Sequence, residues 1–113
     1  MVTMQQIQNG LMRYIDEEIL PHLTGIKKIG LGAYTALAAQ NFGQILLSYK
    51  DHPAVSVLHV MDDKGNVDIE RLYKAVAPQF ANGERQTITI PFIGDYTVDK
   101  TDLEALYRYI KEG

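Results

Sequence analysis

The C-terminal stretch from Gln86 to Gly113 limits the folds open to this chain more than any other stretch. Residues 87–92, TITIPF, alternate with period two, which is the pattern of a β-strand with one buried face. Gly94-Asp95 is typical of a turn, because glycine adopts positive φ without steric cost. Residues 96–99, YTVD, alternate again. The stretch therefore predicts an antiparallel β-hairpin.

The apolar faces of the two predicted strands decide the length of the hairpin loop. A two-residue loop would set Ile90 opposite Asp99, whereas a three-residue loop over residues 93–95 sets Ile90 opposite Val98. A slip of one residue moves a side chain to the other face of the sheet, so we favour the three-residue loop. Its single apolar face comprises Ile88, Ile90, Phe92, Tyr96 and Val98. Pro91 then marks an edge or a bulge, because proline cannot donate to the ladder.

A helix is predicted directly after the hairpin. Thr101 and Glu104 match the S/T-x-x-E capping box, in which each side chain satisfies an otherwise unpaired backbone N–H. Apolar residues follow at the spacing of one helical stripe, namely Leu103, Leu106, Tyr107 and Ile110. We expect this stripe to cover the apolar face of the hairpin.

The composition indicates a single domain over residues 1–113. Apolar residues make up 46% of the chain and charged residues 22%, as in an ordinary soluble globular protein. The net charge of −3 argues against general electrostatic binding to nucleic acid or to anionic membranes. Without cysteine there is no disulfide, thiol nucleophile or cysteine-ligated metal. No signal peptide is indicated, so a cytoplasmic location is expected.

The run from Ile29 to Tyr49 carries no charged residue and has the length of a bilayer span. However, Gln40, Gln44 and Ser48 recur at i, i+4 and i+8, with Asn41 beside them. A helix that faces lipid would not hold such amides without partners. We therefore predict a mostly buried central helix and no membrane contact.

Three further segments have helical patterns. An amphipathic helix is predicted from Thr3, a candidate N-cap, until Pro21 ends or kinks it. A second is capped by Asp68, and it either ends near Ala77 or kinks at Pro78. Residues 53–60 are compatible with a short helix, which we favour, or with a short strand. A very short ribbon is expected to pair Val67 with Val60.

Two helical segments resemble each other. Residues 68–74, DIERLYK, and 102–108, DLEALYR, share a D-φ-E-x-L-Y-[KR] pattern, where φ is apolar. The similarity is compatible with a duplicated unit, but we favour the alternative that two independent amphipathic helices have similar sequences.

The sequence contains no recognisable arrangement of catalytic or metal-binding residues. Its three histidines, His22, His52 and His59, lie in separate segments without metal-ligand spacing. Neither serine lies in a G-x-S-x-G elbow, and no phosphate-binding P-loop is present. The lysines and arginines are dispersed rather than gathered in a basic stripe. We therefore expect no enzyme activity, no cofactor, no metal site and no nucleic-acid partner.

Protein–protein contact is the remaining class of function. If the polar side chains of Gln40, Gln44 and Ser48 on the central helix are exposed, they form a flat, uncharged surface suited to oligomerisation. The chain has seven tyrosines, a residue type enriched at interfaces, and Tyr109 falls outside the core stripe of its helix, beside an arginine. The candidate interface residues are Gln40, Asn41, Gln44, Ser48 and Tyr109.

Three segments of the chain carry a resemblance to a known group of proteins: R-Y-I-x-E-E-I-L-P, G-N-V-D-I-E-x-L-Y, and I-T-I-P-x-I-G-D-x-T followed by D-L-x-x-L-Y-R-Y-I. The combination resembles small uncharacterised proteins encoded in phage and prophage gene clusters of Gram-positive bacteria. The resemblance implies a bacterial or phage protein with a role in virion morphogenesis or an accessory role. It transfers no catalytic or binding residue.

Together these observations predict an α+β domain, with a helical layer of about four helices and a small antiparallel β-hairpin sheet near the C-terminus. The expected function is that of a non-enzymatic structural or interaction protein that self-associates as a homo-oligomer or binds another protein. The alternatives are a small-ligand or nucleic-acid-binding accessory module and, third, an enzyme without a recognisable motif.

Overall fold

The computed structural model describes residues 1–80, 85–90 and 93–112. Its α-helices are α1 (Met4–Tyr14), α2 (Gly25–Ala33), α3 (Thr35–Leu47), the single turn α4 (Pro53–Ser56), α5 (Ile69–Phe80) and α6 (Lys100–Glu112). Strands β1 (Gln86–Ile90) and β2 (Gly94–Val98) form an antiparallel hairpin. The predicted α+β class is confirmed. The described residues contain five helices of nine residues or more, where about four were expected.

Helix α1 begins as predicted, with Thr3 as its N-cap. The Thr3 hydroxyl accepts from the Gln6 backbone N–H at 3.0 Å, and the Gln6 side chain accepts from the Thr3 N–H at 2.7 Å. Beyond Tyr14 the helix widens into a π-helical turn (Ile15–Ile19) and then tightens into a 3-10 turn (Leu20–His22) that contains Pro21. The predicted end near the proline is confirmed.

The uncharged run is two helices rather than the single one expected. Helix α2 already begins at Gly25 and ends at Ala33, and Tyr34 leaves the helical conformation, with φ −119° and ψ 26°. The Thr35 hydroxyl donates to the carbonyls of Leu31 (3.1 Å) and Gly32 (3.2 Å). The Leu31 carbonyl also accepts from the Tyr34 N–H at 3.0 Å, so the hydroxyl adds to the backbone bond in the last turn of α2. The break is therefore stabilised locally.

The hairpin has the predicted apolar face but a different register. Ile88 pairs with Tyr96 and Ile90 pairs with Gly94, so the predicted pairing of Ile90 with Val98 is wrong. The last pair of the ladder is Ile90 with Gly94, so the ladder does not require an N–H from Pro91, which has none. Ile90 and Val98 remain buried on one face, because a shift by an even number of residues preserves the face. The predicted pairing of Phe92 lies outside the described residues.

Helix α6 has a capping box, but it begins two residues before the predicted one. Asp99 is the cap: its carboxylate accepts from the Asp102 N–H at 3.0 Å, and the Asp102 carboxylate accepts from the Asp99 N–H at 3.1 Å. The prediction of Thr101 as the cap is therefore wrong. Strand β2 ends at Val98 and α6 starts at Lys100, so Asp99 is the residue between them.

Most of the remaining predictions for local structure are confirmed, and one is wrong. Asp68 caps α5 as expected, accepting from the Arg71 N–H at 3.1 Å. The helix passes through Pro78 to Phe80, whose side chain is buried, and α4 confirms a helix at Pro53–Ser56. Val67 forms bridges with Val2 and Met61, so the expected pairing with Val60 is wrong.

The core lies where α1 packs against both α3 and α6, with α5 against α6 and the hairpin against α3. Gly10 permits a close contact between α1 and α6, because a Cβ there would lie 2.6 Å from Ile110 Cα. The largest fully buried side chains include Leu11, Phe42, Phe80, Leu72, Leu103, Leu106 and Ile110.

Candidate binding groove between two uncharged helices

Helices α1 and α3 bring together two segments that carry almost no charge. Helix α3 contains no charged residue, and the only one in α1 is Arg13, in its last turn. The Gln8 side-chain amide donates to the Ala36 carbonyl at 2.9 Å, and the Leu11 side chain meets α3 at Gly43. Two regions that are separate in the sequence thus form one uncharged surface.

An open groove of about 610 Å³ runs between α1 and α3. Its apolar residues are Met4, Ile7, Leu11, Ala39, Gly43 and Leu47, and its polar residues are Gln8, Gln40, Gln44 and Ser48. None of these residues is charged. The groove therefore suits an apolar group bordered by hydrogen-bonding groups, because it offers no charge to compensate an ionic one.

The structure brings three of the five predicted interface residues together. Gln40, Gln44 and Ser48 are exposed and border the groove. Asn41 lies elsewhere: it is half-buried, and its side-chain amide donates to the Thr89 carbonyl of β1 at 2.8 Å. Asn41 therefore links α3 to the hairpin through a hydrogen bond.

Tyr109 is part of the core, so its expected position off the core stripe is wrong. The side chain is only 9% exposed, since α6 lies so close to α1 that this side of α6 is covered. Its hydroxyl donates to the Glu18 carboxylate at 2.8 Å, and the Arg13 guanidinium lies 5.5 Å from the ring centre. The bond to Glu18, together with burial, raises the pKa of Tyr109 to about 12.

A second polar cluster joins α1, β2 and α6. The buried Tyr14 hydroxyl lies 3.5 Å from both the Tyr96 hydroxyl and the Asp102 carboxylate. Burial raises the pKa of Tyr14 and of Asp102, whereas the Asp102 N–H lowers the pKa of Asp99 by donating to it. Tyr14 consequently remains a neutral donor at physiological pH. The cluster connects α1, β2 and α6. Tyr14 is distant in sequence from Tyr96 and Asp102, so no local sequence pattern predicts these contacts.

The described residues include no group of three or more His, Asp or Glu side chains placed to hold a metal ion. Across the same parts of the chain, no helix is both long enough and apolar enough to cross a membrane. The groove between α1 and α3 is our candidate binding site because it is concave and its lining is mostly apolar. Sequence reasoning identified its Gln40–Gln44–Ser48 wall but missed the α1 side, for which the lack of charge in residues 1–12 was the available signal.

No protein-family model, curated protein or solved structure matches this chain.

Proposed function

We propose that this chain is a non-enzymatic interaction protein that self-associates, and that the groove between α1 and α3 is its contact surface. One observation carries the proposal: the fold joins two uncharged segments into one surface with an open, largely apolar groove.

A second copy of the chain is the partner best supported by charge. Each copy has a net charge of −3, and an uncharged contact surface avoids placing like charges against each other. The centres of protein interfaces are likewise depleted of charged residues. The amides of Gln40 and Gln44 both donate and accept hydrogen bonds, so they can pair with whatever polar groups border the incoming surface.

The biological setting in this proposal follows from the resemblance to proteins of phage and prophage gene clusters. A cytoplasmic accessory or virion-morphogenesis component that assembles from copies of itself fits the surface described above. The groove volume of about 610 Å³ also lies in the usual range for small-molecule sites, so an apolar small ligand is the second candidate.

The proposal is tested by the molar mass of the native chain across a concentration series, measured by sedimentation velocity. We expect the average mass to rise above that of the monomer, 12.7 kDa, as concentration increases. Gln44→Lys should weaken this association, because a charge would have to lose its hydration in an apolar groove. Gln44 is exposed in the single chain, so the substitution should leave folding intact.

Gln79→Lys is the matched control. It makes the same chemical change on α5, away from the groove, and should associate like the native chain. A native chain that remains monomeric at every concentration would exclude self-association. In that case, saturable binding of an apolar dye that Gln44→Lys weakens would favour the small-ligand alternative.

A further inference from the structure

A small pocket, separate from the groove, shares Tyr96 with the polar cluster of Tyr14 and Asp102. Its volume is about 260 Å³, and its described lining comprises Glu18, Ile19, His22, Leu23, Ile93 and Tyr96. None of these residues lines the groove between α1 and α3. The volume is below the usual range for drug-sized ligands, so the pocket suits a small molecule or a single side chain.

The π-helical turn Ile15–Ile19 supplies one wall of this pocket. The Leu20 N–H donates to the carbonyl five residues earlier, where an α-helix would use the carbonyl four residues earlier. Glu18, within this turn, is exposed at the pocket and also contacts the Tyr109 hydroxyl. Turns of this kind are rare and frequently occur at functional sites, and this one places a carboxylate in the pocket wall.

The hydrogen bonds around Tyr96 leave its oxygen as an acceptor for a ligand. The Tyr14 hydroxyl donates its single proton to the Asp102 carboxylate across 3.5 Å. The contact of 3.5 Å between the Tyr14 and Tyr96 hydroxyls then uses the proton of Tyr96. The group that Tyr96 offers to the pocket is therefore an oxygen that accepts and does not donate.

Glu18 is a second acceptor in the pocket wall. One of its carboxylate oxygens accepts from the Tyr109 hydroxyl at 2.8 Å, which leaves the other oxygen for a ligand. Arg13 pairs with the neighbouring Glu17 at 4.0 Å, and across the described residues no lysine or arginine pairs with Glu18. The pocket thus holds a carboxylate charge that lacks a cationic partner within the described part of the chain.

We propose that this pocket binds the ammonium group and the short alkyl chain of a primary amine. An ammonium has three N–H donors and no acceptor, which matches a lining that accepts at the Glu18 carboxylate and at the Tyr96 oxygen. In its neutral form, the imidazole of His22 offers a third acceptor. The alkyl chain contacts the apolar part of the lining, which comprises Ile19, Leu23 and Ile93.

Other small ligands fit the same groups less well. An anion would face the charge of Glu18 without a lysine or arginine in the described lining. An alcohol has one donor for two acceptors, and its hydrogen bond to the carboxylate lacks the attraction between opposite charges. The described residues also place no three His, Asp or Glu side chains together for a metal ion.

Titration of the native chain with butylamine, followed by amide NMR spectroscopy, tests the proposal. Butanol and butyrate are the matched probes, because they have the same number of carbon atoms and a neutral or a negative polar group. All titrations are made at one ionic strength, which keeps the screening of charges constant. We expect saturable shifts at Glu18, Leu23 and Ile93 with butylamine, and much weaker binding of the other two probes.

Two variants remove the acceptors one at a time. Glu18→Gln should weaken butylamine binding roughly ten- to a hundredfold, the range for a hydrogen bond to a charged group. Glutamine keeps an oxygen that can accept from Tyr109, and Glu18 is exposed, so the variant should fold. Tyr96→Phe keeps the ring and should weaken binding about two- to tenfold.

Glu17→Gln is the matched control. It changes the net charge of the chain by the same amount at the adjacent exposed residue, which does not line the pocket. It should bind butylamine like the native chain. Circular dichroism and thermal melting of all three variants confirm that they are folded.

A further titration distinguishes two sources of such an amine. Lysine that is acetylated at its amino end and methylamidated at its carboxyl end carries the same ammonium group on a peptide backbone. Binding tighter than that of butylamine would identify the ligand as a lysine side chain of a protein, and weaker binding would identify it as a free amine. Both results support the proposal when Glu18→Gln weakens the binding.

Three results would overturn the inference. Equal binding of butanol and butylamine would show that the pocket does not select an ammonium group. Equal losses in Glu18→Gln and Glu17→Gln would show a general attraction of amines to an acidic chain. Shifts of the native chain that increase without saturation would show that there is no site. None of these results bears on self-association, because the groove and the pocket share no lining residue.

Discussion

The rings of Tyr73 on α5 and Tyr107 on α6 stack face to face, with centroids 4.4 Å apart and planes 15° from parallel. These tyrosines occupy matching positions in the two similar segments, residues 68–74 and 102–108. In a pair of units related by a twofold axis, residues at the axis contact their own equivalents. The stacking is therefore what a duplicated unit would produce.

The ends of the two helices differ, however. Asp68 caps α5, whereas the matching Asp102 lies in the first turn of α6 and Asp99 is the cap. The similarity consequently extends to the apolar stripes and the tyrosines but not to the helix starts. Duplication stays one of the two interpretations of the similarity.

The Tyr73–Tyr107 stack should contribute measurably to the packing of α5 on α6. In a double-mutant cycle with Tyr73→Leu and Tyr107→Leu, we expect a coupling of about 0.5–1.5 kcal/mol in the free energy of unfolding, the range for aromatic pairs. Urea denaturation monitored by circular dichroism measures it. Tyr73→Phe keeps the ring and should retain most of the coupling. Strictly additive leucine effects would show that the rings do not stabilise each other.

Substitution of Gly10 by alanine and of Gly32 by alanine should change the stability of the fold in opposite directions. A Cβ at Gly10 would lie 2.6 Å from Ile110 Cα and 2.9 Å from the Tyr109 carbonyl oxygen, so the backbones of α1 and α6 would have to separate. Gly10→Ala should therefore destabilise the fold by about 1–3 kcal/mol, as overpacking does.

Gly32 is the internal control for that prediction. No atom lies within 4 Å of a Cβ at this helical position, so Gly32→Ala should stabilise by roughly 0.5–1 kcal/mol through helix propensity. Thermal unfolding of both variants gives the comparison. Equal effects at the two positions would contradict the close crossing of α1 and α6.

The Tyr109–Glu18 hydrogen bond should make stability depend on alkaline pH. The pKa of Tyr109 is raised from 10.0 to about 12 in the folded chain, so the folded state keeps a proton that the unfolded state releases. The stabilisation is fully present below pH 10, where both states hold the proton, and is lost as pH rises from about 10 towards 12.

Comparison of the native chain with Tyr109→Phe isolates this contribution. The native advantage in unfolding free energy, measured in urea, should be constant between pH 7 and 9 and shrink above pH 10, since phenylalanine has no proton to lose. Tyr34→Phe, at an exposed tyrosine, controls for general alkaline destabilisation. If the difference in unfolding free energy between the native chain and Tyr109→Phe does not change at alkaline pH, the hydrogen bond to Glu18 does not raise the pKa of Tyr109.

Features that depend on neighbours along the chain could be predicted from the sequence. The caps at Thr3 and Asp68, the buried stripe of α5 and the shared face of the hairpin follow from hydrogen bonds and periodicity within a few residues. The α6 cap shows the limit of this reasoning. The sequence predicted the box at Thr101, but β2 ends at Val98 and the cap is Asp99.

Features that depend on which surfaces meet were decided by the tertiary structure. The sequence by itself determined that residues 1–12 and 29–49 are uncharged, but only the packing of α1 on α3 made them one groove. The same packing, through the close approach at Gly10, buried Tyr109. The physical reason is that periodicity and capping act over a few residues, whereas helix crossings depend on complementarity between faces distant in the chain.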